Sequence, residues 1–533
     1  MDFDAHFWIL YNENVKNLIT GCETTIMSIS YQIERLLSFA IENDIIEKTD
    51  VNYTRNTLLG MLAIGKPYEG FASCKNENAD RILSEILDYC ASNAIIPNNS
   101  PTSRSLMSAR LMGAITARPS EIISKFMALL AQSPEKATDW FYHLNRSVEY
   151  IQSNSVKRNR SWQHSTPYGI MEITINIAKP EKTAEEIEIA RKSPPTGYPK
   201  CLLCSENEGY FGRFNHPARQ NLRLIPLTLN GEEWFFQYSP YVYYNEHCIV
   251  LKKEHTPMNV THKTFSRLFD FLDFLPHYFI GSNAGLPVVG GSILSHDHYQ
   301  GGRYVFPLQK ATCYKKFLHP MWPEVSVALV KWPMSVIRLI GKDKSDILSI
   351  ATHILNNWVD YDDEAAGIYS HTNKVIHNAI TIIARIRTDG MYELDIVLRN
   401  NRTTEEFPLG IFHPHPELHH IKQENIGLIE VMGLAILPAR LESETEKITE
   451  MLSGTIPVDA SGDLDKHSDW INYLVGRWGT KNTQTAAELI VRDEIGIKFT
   501  QVLSDAGVFK YTEEGCKQFS RFIESCRMRE TYL

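Results

Sequence analysis

The spacing of apolar residues divides the chain into helical and strand-forming stretches. Up to about residue 155, apolar side chains recur every three or four positions, as at Ile82, Leu83, Ile86 and Leu87, and this spacing predicts helices. From Glu172 to Ile177, apolar and polar residues alternate, which predicts a half-buried strand. We therefore expect a helical N-terminal domain followed by a region built on β-strands.

Two later stretches are also rich in strand-forming residues. Residues 234–251 carry many aromatic and β-branched side chains, and residues 264–274 then follow helical spacing. Residues 380–387 and 391–399 flank an Asp-Gly turn, which predicts a β-hairpin, and a helix is expected from about Glu424 to Ala439. We interpret the middle of the chain as two similar modules, each with a sheet, a helix and a histidine-rich strand.

The composition is that of a globular protein of the cytoplasm. Hydrophobic residues make up 43% and charged residues 22% of the chain, values typical of folded domains. The net charge of −9 argues against a nucleic-acid-binding surface, which must be basic.

The acidic start Met1–Ala5 lacks the basic region of a signal peptide. The most apolar stretch, Ile426–Ala439, is too short to span a membrane. Nine irregularly spaced cysteines predict reduced thiols rather than disulfides.

One pair of cysteines has the spacing of a metal-binding turn. Cys201 and Cys204 form the only C-x-x-C of the chain, a spacing that lets two thiolates reach one zinc ion. The alternative is a pair of buried structural cysteines. A redox role is less favoured, because no thioredoxin-like pattern surrounds the pair. Zinc would need two further ligands from distant parts of the chain.

Histidines that could supply them lie between two glycine pairs. The segment Gly290–Gly302 contains H-x-H-x-Q, made of His296, His298 and Gln300. On a strand, residues two apart face the same way, so these three side chains are expected to line one wall. The glycines would let a phosphate approach the backbone closely. We interpret the segment as a site for phosphate chemistry.

The H-x-H-x-Q after a Gly-Gly-Ser run, with C-x-x-C about ninety residues upstream, resembles the galactose-1-phosphate uridylyltransferase family of the histidine-triad superfamily. The similarity is greatest to the second class of that family, found in low-GC Gram-positive bacteria, which also has a long helical N-terminal region. Further matching segments are Pro199–Cys204, Asn215–Arg219, Phe236–Tyr241, Tyr244–Leu251 and Leu275–Asn283. The resemblance covers most of the chain and is most specific between about residues 168 and 305.

The resemblance implies roles for individual residues. His298 would be the nucleophile that becomes uridylylated, and Gln300 would hydrogen-bond the transferred phosphoryl group. Asn283 and Ser292 would bind substrate. The structural zinc site, with iron as the alternative metal, would consist of Cys201, Cys204, His255 and His296. His247 is the competitor of His255 for the third ligand position.

Together with the periodicity, the resemblance predicts an α+β fold of four regions, which also fits a length of 533 residues. Residues 1–155 form the helical N-terminal domain. Residues 156–320 form the first histidine-triad-like module, with the zinc site and the nucleophile, and residues 321–455 form the second. Residues 456–533 form a mostly helical C-terminal region.

The residue types are suited to this chemistry. A neutral imidazole is an effective nucleophile at pH 7, provided that its other nitrogen donates to an acceptor, here expected to be a backbone carbonyl. The amide of Gln300 cannot act as a general acid, which favours a leaving group that departs unprotonated, such as a sugar phosphate. Asp297 should point away from His298 and receives no role.

Other candidate residues are supported by weaker signals. His413 and His415 form a second H-x-H, which could bind substrate, hold a second metal with His377, or be structural. Arg158 and Arg160 lie roughly where the family binds substrate, although a solvated charge run is the alternative. Arg440 could bind a phosphate or cap a helix.

The predicted function is exchange of UMP between UDP-glucose and galactose 1-phosphate through a uridylyl-histidine intermediate. UDP-glucose, UDP-galactose and hexose 1-phosphates are the expected substrates, and the family implies a homodimer. One alternative is a dinucleoside polyphosphate phosphorylase or hydrolase of the same superfamily. A second alternative is a non-catalytic, zinc-containing nucleotide-binding protein, which would have no need of the H-x-H-x-Q segment.

Overall fold

The computed structural model describes residues 29–70, 72–74, 77–152, 157–177, 197–291 and 293–531. The chain forms two compact units. Of the described residues, those up to 152 and those from 197 to 225 belong to the first unit, and those from 157 to 177 and from 226 to 531 belong to the second. The mixed helix-and-sheet fold class predicted from the sequence is confirmed, and the boundaries of the four predicted regions stay predictions.

The first unit is helical, as its apolar spacing predicts. Ser100 and Ser133 cap the helices that follow them by accepting backbone N–H groups, and a proline occupies the first turn of each helix. The described helices of this unit are 29–42, Val51–Met61, Ala79–Ser92, Pro101–Ile115, Pro119–Leu130 and Pro134–Ser147.

The segment that carries the C-x-x-C is fastened to these helices by hydrogen bonds. The Arg223 guanidinium donates to the backbone carbonyl of Ala117 at 2.7 Å and to that of Thr116 at 3.0 Å. The Asn221 amide donates to the carbonyl of Val148 at 2.9 Å. These bonds satisfy backbone groups at helix ends, and they fix the segment from residue 197 to 225 within the first unit.

An eleven-stranded sheet forms the centre of the second unit, in the order β16-β8-β9-β10-β14-β13-β6-β7-β5-β4-β3. The predicted hairpin is confirmed as β13 and β14, which pair antiparallel from Asn378↔Asn400 to Ile386↔Tyr392. The strands are β3 (Ile225–Leu229), β4 (Glu232–Tyr238), β5 (Cys248–Lys252), β6 (Phe279–Ser282), β7 (His298–Gly302), β8 (Cys313–His319), β9 (Trp322–Val330), β10 (Val336–Gly341), β13 (Asn378–Ile386), β14 (Tyr392–Asn400) and β16 (Arg529–Thr531).

The strands of the two predicted modules belong to this one sheet. β6, from the first predicted module, pairs antiparallel with β13, from the second, through Ile382↔Ser282 and the three pairs that follow. The second histidine pair does not lie on a strand, because His413 and His415 occupy an irregular segment after β14. The two stretches therefore share one sheet instead of each forming a sheet with a histidine-rich strand.

The helix predicted from Glu424 to Ala439 is wrong for most of its length. Only Leu428–Val431 is helical, and Leu434–Pro438 is a strand, β15. Gly433 separates the two with φ +94°, a conformation that ends a helix. An apolar run this short does not by itself distinguish a helix from a buried strand.

β15 belongs to a second, three-stranded sheet with β1 (Arg160–Thr166) and β2 (Gly169–Asn176). It runs parallel to β2, with Leu434 opposite Glu172. Two very short strands, β11 (His371–Thr372) and β12 (Val375–Ile376), form a separate ladder.

Helices cover the large sheet and form the C-terminal part of the second unit. The helix His262–Phe274 packs on β6 and β13, and Lys344–Val359 packs on β10, β13 and β14. The remaining helices are Pro307–Lys310, Leu441–Ser453, Ser468–Trp478, Gln484–Ala506 and Glu513–Ser525. Within the described ranges, no helix combines the length and the apolar character needed to cross a membrane.

Candidate active site and metal centre

The H-x-H-x-Q segment leads into β7, an internal strand of the large sheet. His298 is the first residue of β7 and pairs with Leu251 of β5, while Gln300 lies between Ile249 of β5 and Gly281 of β6. His296 precedes the strand. Two of the three predicted site residues therefore share one strand, and the third lies just before it.

The ring of His298 has one nitrogen committed to the backbone. Its Nδ1 lies 2.8 Å from the carbonyl oxygen of His296, and because a carbonyl can only accept, Nδ1 carries the hydrogen. Burial lowers the pKa of His298 to about 4, so the ring is neutral at pH 7. Nε2 is left with its lone pair, as a nucleophile requires.

The side chain of Gln300 meets a histidine that the sequence suggested only as a metal ligand. The Nε2 atom of His247 lies 3.3 Å from the side-chain carbonyl oxygen of Gln300, and its Nδ1 atom lies 3.0 Å from the backbone carbonyl of Tyr241. Both ring nitrogens of His247 therefore have partners other than a metal. Its contact with Gln300 joins residues that are 53 positions apart in the sequence, and local sequence patterns do not predict it.

Asn283, which follows β6, is almost fully buried. Its side-chain oxygen accepts the backbone N–H of Leu428 at 2.8 Å. A Cβ atom added at Gly291 would lie 2.8 Å from the Asn283 amide nitrogen. The absence of a side chain at residue 291 therefore leaves room for this amide, whose nitrogen keeps donor capacity for a ligand.

The glycines around the H-x-H-x-Q segment are needed for packing within the chain. A Cβ at Gly290 would lie 2.4 Å from the carbonyl oxygen of Ala284, and one at Gly301 would lie 2.6 Å from that of Phe279. Gly302 has φ +154°, a value that other residues rarely adopt. The protein backbone alone is sufficient reason for these glycines, without the phosphate approach expected from the sequence.

Cys201, Cys204, His255 and His296 form a group that could hold a metal ion. Each residue offers one ligand atom, and these atoms all lie within 4.8 Å of one another. The two sulfur atoms are 3.6 Å apart, and the amide of Asn207 donates to the carbonyls of both cysteines. Two thiols and two imidazoles are a donor set compatible with zinc.

The hydrogen bonding of His296 suits a metal ligand. Its Nε2 atom lies 2.7 Å from the carbonyl oxygen of Lys252. Because that carbonyl can only accept, the ring hydrogen belongs on Nε2 and the lone pair lies on Nδ1. Such a carbonyl partner is usual for the second nitrogen of metal-binding histidines.

The chain is similar over most of its length to one family of known proteins. Residues 46–257 match the family described as galactose-1-phosphate uridyl transferase, N-terminal domain, and residues 272–471 match its C-terminal domain. The galactose-1-phosphate uridylyltransferase of Caldanaerobacter subterraneus subsp. tengcongensis is 50% identical over 514 residues, covering 94% of this chain and 98% of that protein. The chain belongs to the galactose-1-phosphate uridyl transferase family.

Other relatives agree with this assignment. The proteins of the same name from Clostridium acetobutylicum and Bacillus subtilis are both 48% identical, and each alignment covers 93% of this chain. The alignments cover 99% and 98% of those two proteins. The family and the enzyme class predicted from the sequence are confirmed. Among solved structures, the yeast Ap4A phosphorylase Apa2 aligns with 61% of this chain and 92% of its own, at 11% identity and a TM-score of 0.33, too low to support an argument.

In this family member, Asp297 faces the helix that packs on the sheet. Its carboxylate lies 3.4 Å from the guanidinium of Arg267, which also donates to the hydroxyl of Tyr299 at 3.2 Å. Burial raises the pKa of Asp297 to about 6, with Arg267 opposing the shift. Asp297 is therefore engaged on the side of the strand away from His298, as its alternation along the segment predicts.

Among the described contacts, none joins the arginines or the serine predicted to bind substrate to the H-x-H-x-Q segment or to the metal group. Arg158 is exposed, and Arg160 is an exposed residue of β1 whose Nε lies 3.0 Å from the carboxylate of Glu442. Ser292 lies outside the described residues. Their predicted roles remain predictions.

The two histidines of the second H-x-H have different surroundings. His413 is buried, with Nδ1 3.2 Å from the carbonyl of Pro414. Among the described residues, no group of metal-ligating side chains contains His413 or His377. His415 instead falls in a group with Glu417 and Asp505.

A cavity of about 760 Å³ lies in the C-terminal part of the second unit. Arg440, Trp470 and Lys498 contribute to its wall, but no residue of the H-x-H-x-Q segment or of the metal group does. Arg440 donates to the carbonyl of His420 at 3.0 Å and to the carboxylate of Glu444 at 2.7 Å. The guanidinium of Arg440 therefore has hydrogen-bond partners within the protein.

Proposed function

We propose that this protein exchanges UMP between UDP-glucose and galactose 1-phosphate through a covalent intermediate on His298. Membership of the family and the shared name of its relatives support the reaction. The observation that carries the residue assignment is the His298 ring, whose Nδ1 is held by the carbonyl of His296. That bond leaves Nε2 as the only nitrogen able to attack.

Each half-reaction is a displacement at phosphorus. The Nε2 lone pair of His298 attacks the α-phosphorus of UDP-glucose, and the bond from that phosphorus to the bridging oxygen breaks. Glucose 1-phosphate leaves with the bonding electrons and needs no proton at neutral pH. In the second half, a phosphate oxygen of galactose 1-phosphate attacks the uridylyl phosphorus, and His298 departs as a neutral imidazole.

Gln300 and Asn283 supply amide donors for the transferred group in this proposal. Gln300 lies two residues beyond the nucleophile on the same strand and is only partly buried. An N–H aimed at a phosphoryl oxygen stabilises charge without transferring a proton, which suits a leaving group that departs as an anion. Asn283 is positioned by the backbone of Leu428, so its amide nitrogen would be held ready for a phosphate oxygen.

We propose zinc as the ion of the Cys201–Cys204–His255–His296 group, with iron as the alternative. Two thiolates and two imidazoles suit both the charge and the four-coordinate geometry of a zinc ion. Bound there, the ion would act structurally, holding the residue whose carbonyl orients His298. Elemental analysis of the purified protein identifies the metal. A preparation that is fully active yet metal-free would exclude this role.

The remaining predicted contacts are weaker parts of the proposal. Arg158 and Ser292 would bind substrate, and Arg160 would do so by giving up its contact with Glu442. We propose a structural role for His413, which is buried with Nδ1 3.2 Å from the carbonyl oxygen of Pro414, whereas His415 is more accessible. We also propose a cytoplasmic homodimer, which sedimentation analysis would test.

Mass spectrometry of the intact protein tests the reaction directly. Wild-type protein incubated with UDP-glucose should gain one uridylyl group, located on His298 by peptide mapping. His298→Ala should show no adduct and no exchange, whereas His262→Ala, at an exposed histidine on another element, should label normally. Diadenosine tetraphosphate should leave no nucleotide adduct. Absence of an adduct on wild-type protein would count against the whole proposal.

A further inference from the structure

His247 is held rigidly beside the active-site strand. It directly precedes β5, and it is 3% exposed. Its backbone carbonyl accepts the N–H of Ser239 at 2.8 Å, and its ring packs against the rings of Tyr243 and Tyr244, with centroids 5.5 and 4.5 Å away. A side chain fixed in this way can hold a neighbour in one orientation.

The two partners of this ring impose a condition on its hydrogens. Nδ1 faces the backbone carbonyl of Tyr241 at 3.0 Å, so Nδ1 carries a hydrogen. Nε2 lies 3.3 Å from the atom placed as the side-chain oxygen of Gln300. Burial lowers the pKa of His247 to about 4, so the ring is neutral at pH 7 and Nε2 can only accept.

The group of Gln300 that faces Nε2 must therefore be a donor. The oxygen and nitrogen of a side-chain amide are interchangeable by a half-turn, and hydrogen bonding decides which of them faces a neighbour. With the oxygen turned toward Nε2, two lone pairs would oppose each other in a buried place. With the NH2 turned toward Nε2, one hydrogen is bonded and the second remains free.

We propose that His247 is a positioning residue, which holds the Gln300 amide with its nitrogen toward Nε2 so that the second N–H can serve the transferred phosphoryl group. This inference rests on the proposed uridylyl transfer and on the role of Gln300 in it. Without the His247 acceptor, the amide is free to turn and present its oxygen, which repels a phosphoryl oxygen. His247 thus acts on the reaction through Gln300.

Two substitutions separate this role from simple support of the fold. His247→Asn places an amide where Nδ1 lies, so it can keep the bond to Tyr241 but does not reach Gln300. His247→Gln is longer and can place an acceptor oxygen near the position of Nε2. Positioning predicts that His247→Asn slows uridylylation about tenfold, the effect of one hydrogen bond, while His247→Gln retains more of the rate. A purely structural role predicts that His247→Asn is the milder change.

The deciding experiment is a double-mutant cycle with Gln300→Ala. The measured quantity is the single-turnover rate of adduct formation on His298 from UDP-glucose, with melting temperatures to verify folding. Gln300→Ala should slow the reaction, and adding His247→Asn to it should cause no further loss. The inference is overturned if His247→Asn alone does not slow adduct formation. It is also overturned if His247→Asn slows the Gln300→Ala protein by the same factor as it slows the wild type.

The same measurements distinguish this inference from the function beneath it. No adduct on wild-type protein removes the proposed transfer itself. An adduct that forms equally fast in Gln300→Ala removes the role of Gln300 and leaves the nucleophile in place. Should His247→Asn fail to fold, the cycle is run with His247→Gln, whose smaller loss must likewise vanish in the Gln300→Ala background.

Discussion

The Nδ1 atom of His298 lies 2.8 Å from the backbone carbonyl oxygen of His296, two residues earlier in the chain. His296, which belongs to the group that could hold a metal ion, thus also orients the ring proposed as nucleophile. Because the contact is made by the backbone of His296, its geometry depends on where that segment is held. Stability of the metal group and reactivity of His298 should therefore change together.

Loss of a metal ligand tests this coupling. Cys204→Ser should lower the bound metal well below that of the wild type and slow uridylylation of His298 about tenfold to a hundredfold, the usual effect of disturbing the support of a site. Elemental analysis and adduct kinetics measure the two quantities. Cys516→Ser, in the helix Glu513–Ser525 outside the group, is the matched control. A Cys204→Ser protein with little metal but a wild-type rate would show that the two are independent.

Gly291 should matter through its neighbour. In Gly291→Ala the new Cβ would lie 2.8 Å from the amide nitrogen of Asn283, so that amide must move. We expect kcat/KM to fall about tenfold or more while the protein stays folded. Gly60→Ala, in the helix Val51–Met61 with nothing within 4 Å of the new atom, should leave kcat/KM unchanged and stabilise by about 0.5–1 kcal/mol. If kcat/KM is the same in the Gly291 and Gly60 variants, the proposed contact of the Asn283 amide with the substrate is contradicted.

Gly496 should matter for stability. It lies in the helix Gln484–Ala506, and a Cβ there would come within 2.1 Å of the ring of His164 on β1. Gly496→Ala should reduce the free energy of unfolding by about 1–3 kcal/mol through overpacking. Gly476→Ala, in the helix Ser468–Trp478 with open space around it, should not. Chemical denaturation measures both, and the prediction fails if the Gly496 variant is as stable as the Gly476 variant.

A buried charge cluster predicts a pH-dependent stability. The carboxylate of Asp395, fully buried in β14, lies 2.7 Å from Arg338 and 2.6 Å from Arg385. Although burial opposes it, the attraction of the two guanidinium groups holds the pKa of Asp395 below its usual range. Asp395→Asn should destabilise the protein by about 3–5 kcal/mol at pH 7, because the arginines lose a buried partner.

The sign of the pH effect follows from that lowered pKa. The ionised carboxylate stabilises the folded state above the pKa of an unfolded aspartate, about 3.9, and this stability is lost as the pH falls through the lower folded value. The gap in unfolding free energy between wild type and Asp395→Asn should therefore narrow below about pH 4. Asp463→Asn, at an exposed position, should show no such gap at any pH. A gap that stays constant in acid would contradict the assignment.

The sequence was informative where its signals were local or strongly patterned. The hairpin of β13 and β14 follows from alternation around an Asp-Gly turn, and motif spacing together with family resemblance points to Cys201 and His296 as members of one group. The helix expected from Glu424 failed because a short apolar run is compatible with either structure, and the conformation of Gly433 decided the outcome. Local patterns also do not reveal that β6 pairs with β13.

The contact between His247 and Gln300 could not be predicted for a related reason. The two residues are 53 positions apart, and no spacing rule connects His247 with the motif that contains Gln300. Only the pairing of β5 with β7 brings them together. Similarly, the need for glycine at residue 291 depends on the Asn283 side chain, which no spacing rule connects to it.

The position of β7 within the large sheet has a consequence for dissecting the protein. The two family models divide the chain between residues 257 and 272, yet β5 before that division pairs directly with β7 after it. A cut there would strip His298 of its neighbour on one side and open a sheet edge prone to self-association. We therefore expect the two segments not to fold independently, and activity to return only when they are produced together.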